Sequence, residues 1–187
     1  MQEISPMERV RRVCADLELN MSEDLIFVDI EKQTLAFYKK SEPMMNCAVS
    51  TSRFGIGNRE NSYMTPLGLH YVEEKIGDGA TPGTIFRSRE NTGVIWTEGM
   101  EGENQMLSRI LRLRGLEPGL NVGPGIDSYD RYIYIHGTNR EDMLGKPASH
   151  GCVCMGNNDV IRLFDMAAEG TFVYIQGTES NIEAPAE

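Results

Sequence analysis

A mainly β, α+β domain is what this sequence predicts, and three observations carry the expectation. Runs rich in β-branched and aromatic residues, bounded by turn residues, recur from Leu25 to Gln176 at short-strand length. Apolar positions at three- and four-residue intervals are confined to brief stretches near 5–19, 104–114 and 159–169. The chain of 187 residues shows no internal repeat and no second domain, and it is long enough for one sizeable core.

The elements follow in order. Residues 5–19 read as an amphipathic helix in which Ser5 caps, Pro6 takes the first position and Glu8 completes a capping box. Met7, Val10, Cys14 and Leu17 would form its packing stripe, so Cys14 reads as a small core residue. From Leu25, LIFVDIEKQTLAFYKK reads as two strands around a turn at residues 31–33. A third short strand is expected at 46–50 with Cys47 buried in it, then an exposed loop at 52–62. The turn TPLG at 65–68 leads into a strand at 69–74, where His70 has no sequence partner and reads as structural.

Residues 77–103 are rich in Gly, Thr, Glu and Asn and are expected to be an irregular wall over a site, carrying Arg87, Arg89 and the single Trp. The spacing of Met106, Leu107, Ile110 and Leu111 predicts a helix over 104–114 that Gly115 stops. A strand from Tyr132 to His136 follows a glycine- and proline-rich connection. A last helix is expected at 159–169, capped by Asn157 or Asn158, with Val160, Ile161, Phe164 and Ala168 facing inward. A closing strand at 171–176 precedes a small acidic tail. The expected organisation is a helical arm at 1–23, a catalytic domain at 24–177 and a mobile tail at 178–187.

The composition, 40% hydrophobic and 25% charged, is that of an ordinary soluble protein. A net charge of −10 argues against nucleic acid and against anionic membrane surfaces as partners. The first 20 residues lack the apolar core of a secretory signal, and no segment reaches the roughly 18 apolar residues of a membrane span. The expected location is therefore the cytoplasm, or the periplasm if a leader has been removed. Four cysteines, at 14, 47, 152 and 154, are too few and too irregular for a disulfide framework.

Chemistry concentrates in YIYIHGTNREDMLGKPASHGCVCM, residues 132–155, which holds two of the three histidines and two of the four cysteines. Cysteine is mostly thiol at neutral pH and needs a base, and imidazole titrates in the right range. In an extended strand Tyr132, Tyr134 and His136 share one face and Ile133 and Ile135 the other. Gly137 would let the backbone turn away, the polar segment 139–148 would bring it back, and 149–152 would deliver Cys152 beside His136. Without a Cβ, Gly151 would let nearby amides aim at a developing oxyanion.

H-G-T, a polar loop, S-H-G-C-V and then M-x-N-x-D-V resemble the catalytic signature of the L,D-transpeptidases, the YkuD-type domain. The resemblance extends back through IFVDIEKQTLAFYKK, the VST at 49–51 and the TPLG turn, covering roughly 24–176. It implies a mixed β-sandwich-like fold and a cysteine acyl-enzyme. Cys152 would be the nucleophile and His136 the base, oriented by the Gly137 carbonyl. Ser149 and His150 would shape the nucleophile loop, and amides near Gly151 and Cys152 would form the oxyanion hole. The substrate implied is a murein tetrapeptide or muropeptide whose terminal D-Ala is released, with no metal or organic cofactor.

One position departs from the pattern. Members usually carry Arg or Asn two residues after the cysteine, and this chain has Cys154. The substrate carboxylate would then be held elsewhere, with Arg53, Arg87, Arg89 and Arg140 as candidates and Tyr134 beside them. A Cys152–Cys154 disulfide would close a small, strained ring and is not expected. With no export signal in view, water is the expected acceptor, making the chain an L,D-carboxypeptidase of murein recycling; transfer to an amine is the alternative. From other classes, His136, His150, Cys152 and Cys154 offer four ligands for a structural zinc, though without the usual ligand loops, and an inactive peptidoglycan-binding module would keep the fold without the reaction. The sequence leaves the oligomeric state open.

Overall fold

The computed structural model of the chain describes residues 4–100, 102 and 104–177. Helix α1 (Pro6–Asp16) opens it, with Ser5 Oγ accepting the Glu8 N–H at 3.2 Å and Pro6 in the first turn. The Glu8 carboxylate turns to Arg11 and Arg12 instead of completing a capping box. Ten strands follow among the described residues: β1 (Leu25–Asp29), β2 (Thr34–Lys39), β3 (Glu42–Ser50), β4 (Gly68–Ile76), β5 (Thr84–Arg87), β6 (Glu90–Ile95), β7 (Met106–Gly115), β8 (Tyr134–Thr138), β9 (Val153–Met155) and β10 (Phe172–Gln176). Helix α2 (Asn157–Met166) lies between β9 and β10, and a single 3-10 turn spans Glu141–Met143.

All ten strands belong to one sheet ordered β4-β10-β1-β2-β3-β9-β8-β7-β5-β6. An additional β4–β7 pairing joins its two flanks, so eight strands close on themselves and only the β5–β6 hairpin projects from the ring. Closure buries the unpaired edges that an open sheet would expose. Alternation along each strand then decides what lies inside. Ile26, Val28, Leu35, Phe37, Leu111, Leu113, Ile135 and Val153 point into the main core, which α2 completes with Val160, Leu163, Phe164 and Ala167. Leu25, Phe27 and Leu69, on the opposite faces, take the Val10 and Cys14 stripe of α1.

Several expectations are corrected. The stretch expected as a helix at 104–114 instead carries strand β7, Met106–Gly115. The ladder with β8 slips between Leu107 and Ile110, where Ser108 adopts a φ of 66°. Such a bulge inserts residues out of register, so Met106, Leu107, Ile110 and Leu111 mimic helical spacing within a β-strand. Strand β3 starts four residues earlier than expected, because Lys40 and Ser41, with φ of 50° and 67°, make a tight hairpin with β2. Pro43 is accommodated there beside a bulge at Phe37/Tyr38.

The stretch 77–103 carries the β5–β6 hairpin and is not wholly irregular. The 52–62 loop is anchored by Ser52 and Ile56, both buried. Helix α2 begins at Asn157 with Gly156 as its cap, and Leu163 and Ala167 take the inward places expected of Ile161 and Ala168. Strand β8 starts at Tyr134, since Tyr132 has a φ of 56° that no strand tolerates. The tail expected at 178–187 lies outside the described residues. Cys14 is buried as expected, Cys47 is half-buried against the core, and all four cysteines are free thiols.

Candidate active site

Strands β8 and β9 run parallel in a register that pairs Ile135 with Val153 and His136 with Cys154. Side chains paired in this way stand next to one another on the same face. His136 Nε2 accordingly lies 3.7 Å from the Cys154 sulfur, and both residues are buried. Cys152 sits one pleat earlier, just before β9, half-buried, with its thiol donating to the Tyr132 carbonyl at 3.6 Å. It packs with Phe86, Ile110, Tyr134 and Met106, a cluster on the opposite side of the sheet from the main core. The expected alternation therefore holds for Tyr134 and His136 against Ile135.

The imidazole is oriented by the main chain. His136 Nδ1 lies 2.8 Å from the Gly137 carbonyl, which can only accept, so Nδ1 carries the proton and the Nε2 lone pair faces the Cys154 thiol. Burial pulls the His136 pKa down, with the Gly137 bond partly offsetting it. Desolvation pushes the Cys152 thiol up to about 11, opposed by the Tyr134 amide and the Arg131 charge. Cys154 is pushed up further, again by burial first and by Cys152 second. The resting pair is thus neutral thiol and neutral imidazole, with Cys152 the easier of the two sulfurs to ionise.

Gly137 does not turn the chain away: it is a β8 residue with an ordinary φ. Its lack of a Cβ matters because one would stand 2.5 Å from the Leu107 carbonyl oxygen and 2.7 Å from Asn157 Oδ1. Asn157 ties this region together, donating to the Thr138 carbonyl at 2.9 Å and accepting from Ser108 Oγ.

The loop that carries Cys152 is held from several sides. Ser149 Oγ donates to the Cys152 carbonyl at 2.6 Å and accepts the Gly151 N–H at 3.3 Å. The Gly151 amide is thereby occupied. Gly151 has a φ of 115°, a conformation that needs glycine. Thr65 Oγ1 donates to the Gly151 carbonyl at 3.0 Å, and Arg131 donates to the Met64 and Gly57 carbonyls. Thr65 and Arg131 were not anticipated as site residues; TPLG signals only a turn, and no sequence feature marks the contact.

His150 points away from Cys154. Arg53 lies 2.7 Å from its Nε2 and the Asn104 amide 2.6 Å from its Nδ1. Arginine only donates, so Nε2 accepts, Nδ1 bears the hydrogen, and Asn104 turns its oxygen to the ring. Phe54 and Tyr63 pack around the same ring. Both His150 nitrogens are engaged, and among the described residues no group of three or more His, Cys, Asp or Glu gathers as metal ligands. The zinc arrangement of His136, His150, Cys152 and Cys154 is therefore not assembled.

The candidate arginines separate. Arg89 reaches Tyr134 Oη at 3.2 Å and lies 5.4 Å from the Tyr132 ring centroid, at the rim of the Cys152 cluster. Arg87 is exposed on the same hairpin, Arg53 is taken up with His150, and Arg140 holds Asp142. A cavity of about 180 Å³ beside the loop that carries Cys152 is lined by Tyr63, Tyr132, Ile133, His150, Glu60 and Asp130 among others.

Comparison with known proteins points one way. The model of the L,D-transpeptidase catalytic domain matches residues 23–175. YqjB of Bacillus subtilis, which carries an L,D-transpeptidase assignment, is 46% identical over 63 residues, 33% of this chain and 36% of its own. YkuD of the same organism, assigned likewise, is 37% identical over 84 residues, 44% of this chain and 48% of its own. The matched regions span half or less of those relatives. Among solved structures, an L,D-transpeptidase from Mycobacterium tuberculosis superposes with a TM-score of 0.53 over 83% of this chain and 58% of its own. At 16% identity that likeness speaks to the fold.

Proposed function

This chain belongs to the L,D-transpeptidase catalytic domain family, and from that membership we propose that it is a cysteine acyl-transfer enzyme acting on peptidoglycan stem peptides. The observation that carries the reading is the imidazole of His136, fixed by Gly137 with Nε2 turned to the face where Cys152 lies. Loss of the Cys152 proton to Nε2 yields a thiolate that attacks the carbonyl carbon of the L,D peptide bond. Catalytic hydrogen bonds commonly tighten only when substrate is bound, and this transfer needs the Cys152 sulfur and Nε2 to close in that way. The Cys152 N–H faces the developing oxyanion. The imidazolium then returns its proton to the departing amine of D-Ala, leaving a thioester on Cys152.

Water is the acceptor in our first reading, which makes the reaction an L,D-carboxypeptidase step on murein tetrapeptides in the cytoplasm. Supporting it is the net charge of −10, which offers no long-range attraction to an anionic wall polymer and suits small soluble fragments. The second reading, transfer to an amine, is favoured by the transpeptidase assignment of the relatives. Incubation with a tetrapeptide, with and without an added acceptor amine, followed by mass analysis, separates them. The expected product is tripeptide plus D-Ala even with the amine present; dimers or exchanged stems without tripeptide would overturn the hydrolytic reading.

A further inference from the structure

Resting on the acyl-donor reading above, we propose that Arg89 binds the free terminal carboxylate of the stem peptide and thereby selects donors that end one residue beyond the attacked bond. Two consecutive non-glycine residues, Ser88 and Arg89, occupy the tip of the β5–β6 hairpin with φ of 47° and 71°. A tight hairpin tip of this geometry favours Asn-Gly, and strained backbone of this kind concentrates where a side chain must be aimed. Here it aims Arg89 across the cleft rim, with Nη1 on Tyr134 Oη and the guanidinium 5.4 Å from the Tyr132 ring centroid. Tyr134 belongs to the cluster that holds Cys152, and the Tyr132 carbonyl accepts from the Cys152 thiol.

Charge bookkeeping leaves Arg89 available, and of the unpaired arginines on its hairpin it is the one that reaches Tyr134, whereas Arg87 is exposed. Arg112 and Arg114 pair with Glu74 and Glu73, Arg140 with Asp142, Arg131 is spent on loop carbonyls and Arg53 on His150. Arg89 forms no ion pair among the described residues; its partner is a neutral phenol. The position paired with His136 is the Cys154 thiol, which supplies no cation. A leaving group of one residue keeps its carboxylate within about one residue length, ~3.6 Å, of the attacked bond. A forked guanidinium bonded to Tyr134, which packs with Cys152, can trade the phenol for a bidentate carboxylate. A chain extended past D-Ala moves the carboxylate out of reach.

The test compares a tetrapeptide acid with its C-terminal amide. Wild type is expected to prefer the acid by about 10- to 100-fold in kcat/KM, and R89Q to lose that preference mainly through a higher KM for the acid, with the amide unchanged. R89K should recover part of the preference, while R87Q, on the same hairpin, should behave as wild type. Unfolding temperature and the rate of Cys152 alkylation report that R89Q is folded with its nucleophile intact. A folded R89Q that keeps the wild-type acid-to-amide ratio would overturn the assignment to Arg89 and leave the acyl-donor reading standing. A wild type that turns over neither peptide would remove both.

Discussion

His136 Nε2 stands 3.7 Å from the sulfur of Cys154, because the parallel register of β8 and β9 makes those two residues direct neighbours. Cys152, one pleat away and less buried, is the sulfur that a substrate can reach and the one whose proton is easier to remove. On the proposed mechanism Cys154 is a thiol that positions the imidazole, and Cys152 the nucleophile. C152A should lower turnover by about 10³-fold or more, whereas C154A should cost no more than about 10-fold. Fragmentation of the acylated peptide should place the adduct on Cys152; an adduct on Cys154 would reverse the assignment.

The pH dependence follows from which groups must be neutral. Burial lowers the His136 pKa below its ordinary value near 6.5, so the base stays competent at neutral pH and loses function only as pH falls through that depressed value. The acid limb of kcat/KM should therefore have its midpoint below 6.5. Cys152, pushed up to about 11, should react with iodoacetamide more slowly than free cysteine at pH 8 and speed up towards pH 11. An acid limb centred above 7, or rapid alkylation at pH 6, would contradict the neutral resting pair.

Gly137 has no room for a side chain. A Cβ there would press on the Leu107 carbonyl and on Asn157, whose amide spans β7, β8 and the start of α2. Overpacking against backbone costs about 2 kcal/mol or more, and it would shift the carbonyl that orients His136. G137A is expected to lower the denaturant midpoint and to reduce kcat beyond what the loss of folded protein explains. Equal activity per folded molecule would show that the carbonyl is not needed for orientation.

His70 ties stability to pH far from the cleft. It is buried, bonded to the Gly68 carbonyl at 3.0 Å and Ser128 Oγ at 2.9 Å, and burial lowers its pKa to about 4. Between that value and 6.5 the unfolded chain binds more protons, so stability is full above about pH 6.5 and falls as pH drops towards 4, by roughly 3 kcal/mol in all. His136 adds a slope of the same sign. Urea titrations at pH 7.5 and 4.5 should show the loss, and H70N should flatten it. A midpoint that does not move with pH would refute the coupling.

How much was legible from residue types can be judged element by element. The first helix, the hairpin of residues 25–39 and the face shared by Tyr134 and His136 were visible, since each depends on local periodicity and caps. The strand at 106–115 was hidden by its own bulge, which gave a β-strand the apolar spacing of a helix. Thr65, Arg131 and Asn157 went unnoticed as supports of the site because each acts on segments distant in sequence, largely through their carbonyls. Cys154 stood out in the sequence as a departure from pattern, but its place against His136 did not.

The sequence by itself determined the strand-rich class, the family and the pairing of a cysteine with a histidine, because composition, periodicity and motif spacing are local properties. Tertiary structure alone decided which thiol lies beside the imidazole, which arginine reaches the rim, and why Gly137 admits no Cβ. Each of these depends on the register between strands and the bulge in β7, set when the sheet closes on itself through β4 and β7. A shift of one residue in that register would send His136 or Cys154 into the opposite face. Closure that places Leu35, Leu111, Ile135 and Val153 in one core is what excludes the shift.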